Sequence, residues 1–313
     1  MDARMPEKEA TFSQFMYRQF LAKPSAVQPQ KVDLQGKTAI VTGSNGGIGL
    51  ECCRQLLRLG LSRLVMAVRN EQKGHDATKQ LYSSEWKDRI VEVWQLDLES
   101  CSSISAFSQR TTSLDRIDYV VLNAGITRAT FHLNPSTGQE DNIQINYLSN
   151  VLLTILLLPI LKSKQSVQQQ HPSRVIFVSS DAAPWTDFPE QDAQPLLPAF
   201  DVPGTTNMTN RYYTSKLPQQ FFVAEAGKRI PASVAVITAS TPGLVHGTDA
   251  LKELPGLGGR VQRGLVHVIG YSPEVGARQL VDAAVNHGDE THGQYLCSQE
   301  IKPQVIFKNI PLG

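Results

Sequence analysis

A chain of 313 residues, 41% hydrophobic and 19% charged, has enough apolar material for a sizeable core and fits one large α/β domain or two small ones. Its formal net charge of +1 gives no broad attraction for nucleic acid or an anionic membrane, so a small-molecule partner is expected. Cys52, Cys53, Cys101 and Cys297 form no Cys-x-x-Cys pair and no Cys/His metal spacing, which predicts no metal and a reduced, cytoplasmic setting.

Residues 1–35 read as an extension ahead of the main domain, without the apolar core of a signal peptide. Within it, Thr11 to Leu21 is amphipathic and predicts a short helix packed on the domain surface, with membrane-surface contact as the alternative. From Lys37 onward, β-branched runs alternate with longer helical patterns. Strands are expected at Thr38–Thr42, Leu64–Val68, Ile90–Gln95, Tyr119–Leu122, Val175–Ser179 and Ala232–Ala239. Helices are expected at Ile48–Leu59, Glu71–Leu81, Ser102–Thr112, Asn142–Leu161 and Tyr212–Lys228. Alternation with apolar strands predicts one doubly wound α/β domain over residues 36–300, its parallel sheet covered on both faces and its ligand at the carboxyl ends of the strands. Residues 301–313 read as a tail. The longest apolar run, Val151 to Leu161, is too short for a membrane span.

The segment from Asp181 to Asn210 breaks the rhythm. Pro184, Pro189, Pro195, Pro198 and Pro203 exclude a regular central element, and a loop this long predicts a substrate-side flap, with a disordered insertion as the alternative. Its Pro184, Trp185, Phe188, Leu196, Leu197 and Phe200 suggest an apolar ligand beside it.

Gly43, Gly47 and Gly49 fall in the turn between the first strand and its helix, with Ser44, Asn45 and Ile48 between them. Glycine lets a backbone approach a pyrophosphate, and the helix N-terminus offers free N–H groups. At the end of the second strand stands Arg69, with no acid before Glu71, which points to a 2′-phosphate and hence NADP(H); Lys73 lies one turn further on. Asp97-Leu98 ends the third strand, where a carboxylate accepts from an adenine amino group or caps the following helix. Asn123-Ala124-Gly125 ends the fourth strand with small residues suited to close passage of a cofactor. Tyr212 and Lys216 lie at i and i+4 on one helix face, where an ammonium lowers the phenol pKa and makes Tyr212 a proton donor or acceptor.

In order and spacing, Thr42–Gly49, Asp97-Leu98, Asn123-Ala124-Gly125, Asn146, Val178-Ser179-Ser180, Tyr212-x-x-x-Lys216 and Pro242-Gly243 resemble the short-chain dehydrogenase/reductase family from about Asp33 to Cys297. Arg69-Asn70 and Asn146-Tyr147-Leu148 resemble the retinol-dehydrogenase-like and fungal secondary-metabolite members. The resemblance implies a Rossmann domain and a role for each matched residue. Tyr212 would be the general acid, Lys216 its partner and a ligand of the nicotinamide ribose. Ser180, rather than Ser179, would donate to the carbonyl oxygen, and Asn146 would hold a relay water. Pro242, Gly243, the backbone of Val245 and the Thr248 hydroxyl would wrap the nicotinamide carboxamide, and residues 248–268 would cover the substrate. Pairing into a homodimer through the helices at Asn142–Leu161 and Tyr212–Lys228 is the assembly implied. Two departures, the long Ser180-to-Tyr212 separation and the N-terminal extension, detach the substrate from any one family member. The expected activity is NADPH-dependent reduction of a ketone or aldehyde, or oxidation of the alcohol, on a moderately large apolar molecule of secondary metabolism. The alternative is a cofactor-binding protein with a non-redox role: isomerase, cyclase or regulatory binder.

Overall fold

The β-branched runs become strands β1 (Thr38–Thr42), β2 (Arg63–Val68), β3 (Ile90–Gln95), β4 (Tyr119–Leu122), β5 (Ser173–Val178) and β6 (Ala235–Ser240), joined by two short strands, β7 (Tyr295–Cys297) and β8 (Glu300–Lys302). This is a computed structural model describing residues 10–81, 86, 88–165, 171–204, 206–247, 264 and 266–303. The strands form one sheet in the order β3-β2-β1-β4-β5-β6-β7-β8, parallel throughout except for the antiparallel β7–β8 pair. The order reverses between β1 and β4, and the crevice at that switch point is where such sheets bind ligands.

The long helices are α1 (Phe12–Leu21), α2 (Gly47–Arg58), α3 (Glu71–Leu81), α4 (Cys101–Thr111), α5 (Asp141–Lys164), α6 (Leu196–Ala199, a single turn), α7 (Met208–Arg229) and α8 (Pro273–Val285). Alternate strand residues face opposite layers, and the central strands β1, β5 and β6 are buried on both sides, whereas the edge strands β3 and β8 are partly exposed. Ala39 and Val41 of β1 pack with Leu56 and Leu57 of α2 and Leu280 and Val281 of α8. Ile40 between them packs in the other layer with Phe107 of α4, Leu153 and Leu157 of α5 and Val223 of α7. Each such aliphatic side chain contributes about 1.5–3 kcal/mol on burial, which fixes the sheet as the rigid platform for the loops at its carboxyl edge.

Element ends differ from the sequence expectations for local reasons. β6 begins at Ala235 and not Ala232, because a turn closed by Val234 N–H donating to Pro231 O (2.8 Å) holds the preceding residues out of the ladder. α7 starts at Met208, ahead of the expected Tyr212, since Asn207 caps it by accepting from Asn210 N–H at 2.9 Å. α8, unforeseen, carries the signature of a helix start in Ser272, whose side chain accepts from Val275 N–H, followed by Pro273. The sheet runs on to Lys302, past residue 300, and Leu34 of the N-terminal extension is 1% exposed in the core.

α5 extends the Val151–Leu161 run into 24 helical residues with mean hydropathy 1.7 in its most apolar stretch, so by length and composition it could cross a membrane. Half of that stretch is buried inside the fold, where Leu153, Leu157 and Leu161 pack under the sheet, as in the core helix of a doubly wound domain. Its first turns include a π-helical stretch, Gln144–Leu148, which widens the helix where Asn146 turns inward.

Candidate active site

The glycine turn is held from two sides. Gly43 sits at φ +63° and donates to Ala67 O (2.8 Å), and a Cβ there would lie 2.9 Å from Ala124 Cα. Asn123 Nδ2 donates to Thr42 O (2.9 Å) and Gly43 O (3.2 Å), while Ala124 N–H donates to the Thr42 hydroxyl (2.9 Å). A Cβ on Gly49 would meet Asn123 Nδ2 and Gly43 O, each at 2.6 Å. Both glycines therefore exist for close approach. Gly46 precedes α2 with no side-chain cap, which leaves the first N–H groups of the helix open to an anion.

This turn opens onto a cleft of about 310 Å³ lined by Gly43, Asn45, Gly47, Ile48, Arg69, Asp97, Leu98, Asn123, Ala124, Gly125, Tyr212, Lys216 and Pro242, all expected from sequence. Gly46, Val178 and Ser179 of the matched motifs also line it, together with Ala67, Leu96, Glu99, Ile126, Thr127 and Ile145, which were not foreseen. Ser44 and Gly49 lie beneath the wall: Ser44 is fully buried, its hydroxyl donating to Val41 O at 3.0 Å. Lys73 is exposed and outside the lining, its N–H bonded to Asn70 Oδ1 (2.9 Å).

At the outer end, Arg69 is not alone. Its Nη1 donates to Glu99 Oε1 at 2.7 Å, and Arg128 Nη2 stands 3.6 Å from the same oxygen. Arg128 also donates to Asp141 Oδ2 (3.0 Å). Asp97 does not cap α4; Ser100 does, accepting from Ser103 N–H at 3.2 Å, while Asp97 Oδ1 accepts from Glu99 N–H at 3.0 Å. The two-residue turn at Asp97 thus places Glu99 against Arg69.

At the inner end α7 carries both members of the Tyr-Lys pair into the cleft. Tyr212 is partly exposed, and the Ser180 hydroxyl stands near enough to its phenol to draw its pKa down. Ser179 turns the other way: its hydroxyl accepts from Gln220 Nε2 (3.1 Å), so Ser180 is the serine that faces the phenol. Lys216 is 5% exposed and its Nζ donates to Val178 O at 2.9 Å. Burial pushes its ammonium down to about 8. Burial also pushes the Tyr212 phenol above its ordinary value, against the lowering pull of the Ser180 hydroxyl. This corrects the expectation from spacing alone. The i, i+4 ammonium does not lower the phenol here, because desolvation outweighs it and Nζ is engaged with the strand carbonyl.

Asn146 is fully buried, and its side chain is spoken for: Oδ1 accepts from Ile126 N–H (2.8 Å), and Nδ2 donates to Ile126 O (2.9 Å) and the Ser215 hydroxyl (2.8 Å). It fastens the segment after β4 to α7. A Cβ on Gly125 would come within 2.9 Å of Asn146 Oδ1 and 3.4 Å of Lys216 Nζ, so the expected Gly125, Asn146 and Lys216 are brought together.

The segment from Asp181 to Asn210 is folded upon itself. Phe188 and Phe200 stack at 6.1 Å, 1% and 0% exposed, in a small core with Ile143, Ala183 and Leu217. They point away from any ligand, contrary to the expectation that they line it, because this short segment needs its own apolar centre. Arg211 and Glu190 form an ion pair at 2.8 Å that is 1% and 3% exposed and ties the segment to α7 one residue before Tyr212. Trp185, in a 3₁₀ turn directly after the Ser180 corner, remains near the mouth, its ring 5.9 Å from that of Tyr213.

After β6, Pro242 reaches the cleft, while Gly243 (φ +74°) and Val245 lie behind it; Val245 bridges to Tyr271. Thr248 and most of the expected cover, 248–263, lie outside the described residues. Among the described residues no cluster of His, Cys, Asp and Glu could hold a metal. The cradle at Gly43 and Gly49, the uncapped start of α2 and the small residues after β4 fit a dinucleotide stretched from Arg69 to Tyr212.

The family model described as short chain dehydrogenase matches residues 37–189. The short-chain dehydrogenase fogG of Aspergillus ruber is 40% identical over 311 residues, covering 97% of this chain and 88% of that protein. The short chain dehydrogenase/reductase mfmJ of Annulohypoxylon moriforme is 39% identical over 293 residues, with 93% and 84% covered. Among solved structures, a short chain dehydrogenase from Shigella flexneri superposes with a TM-score of 0.64 at 20% identity, covering 92% of this chain and 99% of that one. Another from Shigella flexneri 2a, complexed with NADP, gives a TM-score of 0.59 at 20% identity, with 85% and 98% covered. The structural likenesses establish the doubly wound fold, and the two fungal relatives, matched over nearly the whole chain, establish descent. This chain belongs to the short-chain dehydrogenase family and is an oxidoreductase.

Proposed function

We propose that this chain is an NADPH-dependent reductase of a ketone or aldehyde on a moderately large, largely apolar molecule of secondary metabolism. The observation that carries the reading is the meeting, in one cleft, of the glycine turn with Tyr212 and Lys216, with Ser180 beside the Tyr212 phenol. Bound nicotinamide would supply the hydride to the carbonyl carbon. Tyr212, kept protonated by burial, donates its proton to the carbonyl oxygen as that charge develops. Ser180 offers the same oxygen a second hydrogen bond, and donors placed where charge develops lower the barrier. Lys216 supports the phenol and the ribose, with Asn146 and Ser215 holding α7 in register.

Arg69 at the cleft rim supports the 2′-phosphate and so NADP(H) over NAD(H). The dehydrogenase solved with NADP shares the fold and is compatible with this choice. Four free cysteines, three of them buried, accord with a reducing cytoplasm. A homodimer would use the outer faces of α5 and α7, where Ile155 is 52% exposed.

The test is Tyr212→Phe, assayed with saturating NADPH against a panel of ketones and aldehydes. Removal of a positioned general acid should cost roughly 10²- to 10⁴-fold in turnover with NADPH affinity unchanged. Tyr213→Phe makes the same chemical deletion on the neighbouring phenol and should leave turnover within about twofold. Near-normal turnover in Tyr212→Phe would exclude this mechanism.

A further inference from the structure

The N-terminal helix α1 precedes the sheet, and among the described residues it is fastened to the serine corner after β5, to the turn after β6 and to the segment 269–271. Gln19, 5% exposed, donates to Leu244 O (3.0 Å) and Ile269 O (3.1 Å) and accepts from Leu244 N–H (3.1 Å). Arg18 approaches Asp181, the residue after Ser180, at 3.8 Å. That carboxylate also accepts from Tyr295 (2.9 Å), the Cys297 thiol (3.2 Å) and Thr241 (3.3 Å), so it knots the serine corner to the turn after β6. The Tyr271 hydroxyl donates to Arg18 O (2.9 Å) and Ala22 O (3.0 Å). A helix merely resting on the surface would not need polar contacts to three separate segments.

This anchoring completes an aromatic row that starts at the catalytic phenol. The Tyr212 and Tyr213 rings are 6.1 Å apart, Tyr213 and Trp185 5.9 Å and edge-to-face, Trp185 and Phe12 5.7 Å, and Trp185 and Phe15 5.1 Å. Trp185 is held in place by Nε1–H donating to Ala10 O at 2.8 Å. Phe15 is buried beneath the row, whereas Phe12 is 63% exposed at its outer end. An exposed phenylalanine backed by fixed aromatic rings is poised for a further planar ring, since aromatic pairs favour offset and edge-to-face contacts beyond the area they bury.

We propose that α1 is a wall of the substrate site and that the row from Tyr213 through Trp185 to Phe12 recognises an aromatic ring on the carbonyl substrate. The proposal rests on the reductase reading, and it adds that specificity is set by a helix outside the shared core. Phe12→Ala removes an exposed ring without opening the core, and Trp185→Leu and Trp185→Phe separate shape from aromaticity. Binding to the full chain loaded with NADP⁺ would be measured by ligand-observed NMR for 8-phenyloctan-2-one, long enough to extend along the row from Tyr212, and tetradecan-2-one, methyl ketones of equal carbon number, with turnover followed alongside.

The unmodified chain should prefer the phenyl ketone. Phe12→Ala and Trp185→Leu should each weaken it by roughly three- to tenfold while leaving tetradecan-2-one and NADPH affinity unchanged, and Trp185→Phe should retain most of the affinity that Trp185→Leu loses. No preference in the unmodified chain, unchanged affinity in both truncated variants, or equal losses for the two ketones would overturn the wall. A phenyl ketone bound selectively but never reduced would sink the reductase reading and leave the wall standing.

Discussion

The contact between Arg69 and Glu99 makes a quantitative prediction about cofactor choice. If Arg69 binds the 2′-phosphate of NADPH, its Nη1 must leave or share the Glu99 oxygen that it now meets at 2.7 Å. The pair is 66% and 31% exposed, so solvent screens it and it contributes only about 0.2–1 kcal/mol. A charge-assisted bond to phosphate is worth about 1.5–3 kcal/mol, so the phosphate wins, but Glu99 tempers the gain. Glu99→Gln should therefore tighten NADPH by roughly 1.5- to 5-fold and leave NADH nearly unchanged. Arg69→Asp should weaken NADPH relative to NADH by roughly 10- to 150-fold. Dissociation constants for both cofactors would be measured by nicotinamide fluorescence at low and high salt, and the Glu99 effect should shrink as salt rises. Equal affinity of the unmodified chain for NADH and NADPH would refute the role of Arg69. A loss of NADPH affinity in Glu99→Gln would show that the carboxylate positions the guanidinium instead of competing for it.

Lys216 links function to stability. Its ammonium is depressed from 10.5 to about 8 by burial, so between those values the unfolded chain binds the extra proton and stability rises with pH. The cost is fully present below about pH 8, on the order of 3 kcal/mol less the bond to Val178 O. Lys216→Met should accordingly abolish turnover yet raise Tm at pH 7, an advantage that narrows toward pH 10.5; a lowered Tm at pH 7 would contradict the buried-charge account. Glu190→Gln, by contrast, removes one carboxylate from the Arg211 guanidinium, which also interacts with Glu140 and Asp201, and should destabilise by about 1.5–3 kcal/mol in urea unfolding. Unchanged stability there would mean that the segment from Asp181 to Asn210 is not tied down by this pair.

What the sequence determined on its own is what depends on neighbours in the chain. The β-branched runs, the glycine turn ahead of α2 and the i, i+4 placement of Tyr212 and Lys216 follow from backbone periods of two and 3.6 and from the conformational freedom of glycine. Those local rules located β1, β3, β4 and α3 to the residue, along with most of the cleft lining. They were silent wherever a side chain chooses a distant partner. Glu99 meets Arg69 across 30 positions, Gln19 reaches Leu244 across 225, and neither sequence neighbourhood hints at the other.

Phe188 and Phe200 show the same limit within one segment. Their hydrophobicity announced burial, but only tertiary packing decided that they bury against each other and Leu217 and not against a ligand. The pKa of Tyr212 is the sharpest case. Spacing alone supplies the ammonium that would lower it, whereas the depth of the cleft, a property of the assembled sheet and helices, supplies the desolvation that raises it.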